Sequence, residues 1–295
     1  MRLSVVLICA LLAAACGTHL HAASPPAACT APDRWRSLPP TPSLPKPERE
    51  GLVAVKGSRL WYGEYGTRNG GVPVLLLHGG LGNSSYFGDL IPALVKAGYH
   101  VVALDSRGHG RSAPSSLPYT YPLMAQDVVK LLDHLKIAKV DLVGWSDGGT
   151  IGYHLALDAA GRLHRLLAFG ANATLGGLKS DYAATPTFAA YIARTEREYR
   201  ALAPSADAYP AFLKDISRMW GGEPLPDVAA LRAVKAPATI VVGQYDEAMR
   251  IDHAAAIADA IPGANLVVLP NVSHFAMLQC PGEFDDAVLQ FLKWR

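Results

Sequence analysis

An excess of charge of either sign is missing from this 295-residue chain: 27 Lys and Arg stand against 25 Asp and Glu, a net of +2, with no like-charge block. That argues against a nucleic-acid binder, which needs a basic face to neutralise phosphates. No apolar run reaches the roughly 20 residues of a membrane-spanning helix, so a polytopic membrane protein is excluded. The four cysteines have no paired spacing, which excludes a zinc ribbon and a disulfide-dense scaffold. A Gly-rich phosphate loop and an H-E-x-x-H pair are also missing. The closest histidines, His19-Leu20-His21, sit near the N-terminus, and nothing implies a metal or organic cofactor. What is present is a chain half apolar and 18% charged, able to offset the entropy of folding and near the upper size for one hydrophobic core.

Residues 1–23 read as an export signal, with a positive start at Met1-Arg2, an apolar stretch from Leu3 to Ala15 too short to span, and small residues after it. Two cleavage readings stand side by side. Ala13-Ala14-Ala15-Cys16-Gly17 resembles a lipobox that leaves Cys16 as a lipidated terminus and the protein periplasmic but membrane-anchored, although Ala13 replaces the usual leucine. Ordinary cleavage near Leu20-His21-Ala22 is the other. Residues 24–50 hold eight prolines and little apolar periodicity, which predicts an extended tether without chemistry. After export Cys29 and Cys280 remain, and an oxidising compartment permits either a disulfide between them or two free thiols.

From residue 51 the pattern is that of a folded domain. Short strands at Leu52–Val55 and Leu60–Tyr65 flank Lys56-Gly57-Ser58-Arg59, with glycine at the first central position of an expected type II′ hairpin. Apolar runs of the kind buried on both faces follow at Val74–Leu77, Val101–Leu104, Val140–Val143, Leu163–Phe169, Ile240–Val242 and Leu266–Leu269. Between them, Met124, Val128, Leu131, Leu132 and Leu135 fall on one helix face. Strands alternating with helices predict an α/β fold with a doubly wound, mostly parallel sheet. The stretch 171–236 is too long for one crossover and reads as a helical insertion, with helices near Pro186–Leu202 and Tyr209–Trp220.

Gly144-Trp145-Ser146-Asp147-Gly148, directly after an apolar strand and before a helix, has the form of a nucleophile elbow. Small residues are needed there because the turn is strained and crowded, and the helix end offers free N–H groups to an oxyanion. His78-Gly79-Gly80-Leu81-Gly82 follows another strand. It supplies Gly80 as one oxyanion donor, with the Asp147 N–H as the other, while His78 is expected to brace the loop. A serine needs a base, and the base an orienting acid. Asp246 follows the Ile240–Val242 strand and His274 follows Leu266–Leu269, in the order Ser, Asp, His expected on such a sheet. Glu247 and Asp252 are rival acids and His253 a rival base, all set further into helical sequence.

With these residues in view the chain resembles the α/β-hydrolase family of serine hydrolases over about Val53 to Arg295. Leu104-Asp105-Ser106-Arg107-Gly108-His109-Gly110-Arg111-Ser112 is similar to the family's D-x-R-G-x-G-x-S turn, which implies structural roles for Arg107 and His109. Gly144 to Gly149 is most similar to the valacyclovir hydrolase (biphenyl hydrolase-like) branch. The resemblance implies Ser146 as nucleophile, His274 as base, Asp246 as acid and the insertion as a cap. The expected reaction is hydrolysis of a small carboxylic ester, lactone or aminoacyl ester through an acyl-enzyme. A C–C bond hydrolase, a cofactor-free haloperoxidase-like enzyme and a non-catalytic ligand receptor are the alternatives. Serine at position 146 argues against epoxide hydrolases and dehalogenases, which use aspartate there. Leu81 weakens a prolyl aminopeptidase reading. The Asp147 side chain either points away from the oxyanion or binds a substrate ammonium, as the branch resemblance implies.

Overall fold

A computed structural model describes Cys29 and residues 31–294, apart from Glu223 and Pro226. The export-signal residues and Cys16 lie outside the described residues. Among the described residues, eight strands form one sheet: β1 (Arg49–Val55), β2 (Ser58–Tyr65), β3 (Val74–Leu77), β4 (Val101–Leu104), β5 (Val140–Trp145), β6 (Leu163–Phe169), β7 (Ala238–Gly243) and β8 (Asn265–Leu269). Their order is β1-β2-β4-β3-β5-β6-β7-β8. The β1–β2 and β2–β4 pairs are antiparallel and the other five are parallel. The sheet is therefore mixed, and mostly parallel as expected.

Strand side chains alternate between two apolar layers, which explains the continuous apolar runs. Leu75, Leu142, Leu166 and Ile240 face one layer, while Val74, Leu76, Val143, Leu167 and Val241 face the other. Helices α1 (Leu90–Lys96), α2 (Tyr121–Leu135) and α3 (Asp147–Asp158) connect the early strands. Thr120 caps α2 by accepting from the Leu123 N–H, and its face from Met124 to Leu132 is buried. The insertion between β6 and β7 carries α4 (Pro186–Leu202) and α5 (Tyr209–Trp220), the two helices expected of a cap. Helices α6 (Ile251–Ala260), α7 (Ala276–Gln279) and α8 (Pro281–Lys293) complete the chain.

Three sequence expectations are corrected. The strand partners Val55 and Ser58 leave Lys56-Gly57 as the two-residue loop. Positive φ falls on Gly57, the second central residue, so the turn is not type II′. The β8 run is not buried on both faces: β8 pairs only with β7 at the sheet edge, and Leu266 and Val268 are about two-fifths exposed, at 39% and 41%. Finally, the described part of the proline-rich stretch is no free tether, and it holds a short 3-10 turn at Arg34–Arg36. Arg194 of α4 donates to the Leu38 and Pro39 carbonyls, and Cys29 is disulfide-bonded to Cys280, with 5.1 Å between Cα atoms.

Arg107 is structural, as the turn motif implied. It is fully buried and holds both Asp127 oxygens at 2.7 Å, tying the turn after β4 to α2. Breaking such a pair leaves a buried charge, so Arg107→Met is expected to cost about 3–5 kcal/mol of folding stability in a urea titration. An unchanged midpoint would show the pair to be dispensable.

Candidate active site

The sheet order reverses at β3, between β4 and β5. Loops at the carboxyl ends of these strands flank the crevice where open α/β sheets bind ligands. Ser146 sits there, between β5 and α3, with φ 52° and ψ −119°. Such a backbone is strained for a residue with a Cβ and persists only if its surroundings enforce it. They do: a Cβ on Gly144 would lie 2.5 Å from the Gly148 and Gly149 backbone, and one on Gly148 would strike the Leu77 carbonyl. The elbow's small residues are thus set by close backbone packing.

His274 and Asp246 come together at the ends of β8 and β7. The His274 Nδ1–H faces both Asp246 oxygens at 3.0 Å, and both side chains are buried. Asp246 is itself fixed by the Ala248 and Met249 N–H groups, at 2.9 and 2.8 Å. Burial opposes the imidazolium, but the Asp246 carboxylate, with Glu247 adding to it, outweighs burial and holds the His274 pKa above its ordinary value. Ser146 and His274 line one pocket, yet no hydrogen bond joins Ser146 Oγ to the imidazole. Resting sites of this kind are commonly loose until substrate binds.

The opposite side of the pocket, where Gly80 and Asp147 are expected as oxyanion donors, is built by the β3 loop and α3. Asp147 is the first residue of α3, so its N–H has no acceptor within the helix. Gly80 lines the same pocket, and its carbonyl is held by Tyr191 Oη of α4 at 2.7 Å. A Cβ on Gly80 would run into the Asp147 carboxylate and Trp220. His78 braces this loop: its Nδ1 donates to the Gly79 carbonyl at 2.8 Å and its Nε2 accepts from the Ser106 N–H at 3.0 Å.

The Asp147 carboxylate does not point away. It lines the pocket, accepts from Tyr121 Oη at 2.8 Å and takes Trp220 Nε1 at 2.9 Å. These donors are uncharged side chains, Tyr121 of α2 and Trp220 of the cap helix α5. Burial raises the Asp147 pKa above the usual carboxylate range, against the hydrogen bonds from Trp220 and Tyr121. Among the described residues it forms no ion pair. Free space is small, about 40 Å³, against ~300–1,000 Å³ for drug-sized ligand sites. An incoming substrate must be compact or displace cap side chains.

The region from residue 74 to 287 matches a family described as the alpha/beta hydrolase family. The chain belongs to that family. It is 32% identical over 254 residues to the human (Homo sapiens) protein named serine hydrolase BPHL, covering 82% of this chain and 85% of the relative. Among solved structures it is similar to the enol-lactonase of Burkholderia xenovorans LB400, with TM-score 0.69 and 26% identity over 83% of this chain and all of that one. It is also similar to Est816, described as an N-acyl homoserine lactone degrading enzyme, with TM-score 0.66, 27% identity and coverage of 82% and 100%. This hydrolase's remaining candidates do not line the pocket. Glu247 accepts from the His274 backbone N–H at 2.9 Å, Asp252 pairs with Arg250 at the surface, and His253 Nε2 accepts from the Ala173 N–H at 3.1 Å. His109 is buried against Phe212, and burial lowers its pKa well below the ordinary value. Tyr121, Tyr191 and Trp220 were not singled out from sequence. No local motif marks them, because the hydrolase brings them in from separate helices.

Proposed function

We propose that the enzyme hydrolyses small carboxylic esters or lactones through an acyl-enzyme on Ser146. The observation that carries this reading is the strained Ser146 elbow sharing a pocket with the closed His274–Asp246 pair. In this scheme Ser146 Oγ attacks the carbonyl carbon while His274 Nε2 takes its proton. The oxyanion is held by the Gly80 and Asp147 N–H groups. His274 then protonates the leaving alcohol, and a water deprotonated by the same imidazole releases the acid. The Asp147 carboxylate supports a finer reading, in which α-amino esters are preferred. The Cys29–Cys280 disulfide and the signal-like residues 1–23 support an oxidising compartment outside the cytoplasm.

The test is a panel of chromogenic esters, lactones and C–C cleavage substrates, with a fluorophosphonate probe followed by peptide mass mapping. A burst of product and an adduct on Ser146 are expected. Turnover of C–C substrates alone would replace the ester reading. A folded protein that turns over nothing and takes no adduct would favour a receptor.

A pH dependence follows from the ion pair. Only neutral imidazole can accept the serine proton, so kcat/KM falls as pH drops through the His274 pKa. Because that pKa is raised, the acid limb is expected above the ordinary histidine value of about 6.5. Initial rates across pH 5 to 9 check it. A limb below that value would mean that Asp246 does not set the basicity of His274.

A further inference from the structure

Cys29 and residues 31–38, outside the strands and helices that make the site, are tied to both loops that carry Asp246 and His274. Arg34 is 6% exposed. Its Nε donates to the Asn271 carbonyl at 2.9 Å and its Nη2 to the Pro270 carbonyl at 2.8 Å, with Glu283 at 2.6 Å balancing the charge. These carbonyls belong to the turn that ends at His274. Asn271 holds a left-handed φ of 52° there and donates from Nδ2 to the Ala31 carbonyl at 3.0 Å.

A second connection runs through Gln279. Its Nε2 donates to the Trp35 and Ser37 carbonyls at 3.1 and 2.8 Å, while its Oε1 accepts from the Ser273 N–H at 2.7 Å. Ser273 is the residue before the base. A third contact is the Trp35 ring stacked on Tyr245 at 4.6 Å, beside Asp246. The segment is anchored at its start by the disulfide from Cys29 to Cys280.

We propose that Cys29 and residues 31–38 form an intramolecular clamp that sets the position of the base loop, with Arg34 as its positioning residue. This rests on the reading of Ser146, His274 and Asp246 given above. The physical argument is one of geometry. A buried guanidinium that satisfies consecutive carbonyls fixes the direction of the turn, and a misplacement of about 1 Å at a reacting group can cost on the order of 100-fold in rate. The clamp touches no substrate, so its loss acts through His274 and chiefly on kcat.

The experiment uses the full chain. Arg34→Met keeps the side-chain bulk and removes the donors. It is expected to lower kcat by about 10- to 100-fold with KM changed less than threefold. As the pair loosens, the acid limb should move to lower pH; the charged groups facing His274 are Asp246, Glu247 and Asp147. Arg34→Lys, which retains charge and one donor direction, should recover part of kcat. A folded Arg34→Met enzyme with wild-type kcat and pH profile overturns the clamp, whatever its melting temperature. If Arg34→Met does not fold, the Cys29→Ser/Cys280→Ser double variant decides: lower kcat supports the clamp and unchanged kcat overturns it. Fluorophosphonate labelling of wild-type Ser146 separates the two readings, since failure there removes the hydrolase mechanism and leaves nothing for the clamp to position.

Discussion

Ser146→Ala is expected to lower kcat/KM by about 10⁴-fold or more, while secondary structure and unfolding midpoint stay close to wild type. The hydroxyl is the atom that would form the acyl bond, and no neighbouring side chain can replace it at the apex of the elbow. The folded state loses little, because the strained backbone at residue 146 is enforced by the packing of Gly144 and Gly148 and not by the side chain. Residual turnover reflects binding and the oxyanion donors alone. Activity within tenfold of wild type in a protein purified free of host esterase would remove Ser146 from the mechanism.

Asp147→Asn should separate amino esters from neutral ones. A buried carboxylate beside a developing oxyanion repels it, and its partners here, Tyr121 and Trp220, carry no positive charge. A substrate ammonium would supply the missing cation within the pocket. Truncating one side of a buried charge pair typically costs a few kcal/mol, so kcat/KM for an α-amino ester is expected to fall on the order of 100-fold. The des-amino analogue should be unchanged or slightly faster, since the repulsion goes with the charge. Parallel measurement of both esters in wild type and variant decides the matter. An equal change for both would make Asp147 an anchor for the cap helix through Trp220.

Strands β3 and β4 coincide with apolar runs visible in the sequence, because burial on both faces writes itself as uninterrupted hydrophobicity, whereas the run read at β6 is broken by the half-buried His164 and Arg165. The edge strand β8 carries the same kind of run and is half uncovered; apolar composition alone does not distinguish an edge from a centre. The loops bearing Ser146, Asp246 and His274 were legible because each follows a strand directly and so lies at one end of the sheet. The cap's part was not. Trp220 reaches Asp147 across 73 positions, and Tyr191 reaches Gly80 across 111, distances over which no local pattern operates. Arg34 was hidden for a related reason. Its proline-rich surroundings have no periodicity, so its burial depends wholly on partners more than 230 positions away.

The bond from Cys29 to Cys280 spans 251 positions and encloses every strand of the described residues, both cap helices and the loops bearing Gly80, Ser146, Asp246 and His274. Topologically the domain is a closed ring with α8 as an appendage. The unfolded chain then loses the freedom of a very long loop, a restriction that the chain-entropy relation values at about 5.5 kcal/mol in favour of the native state. The ring closes one residue beyond α7, six positions past His274. The stabilising constraint and the candidate site's geometry therefore share one knot of structure, and a backbone cut anywhere else in the ring would still leave a single covalent molecule.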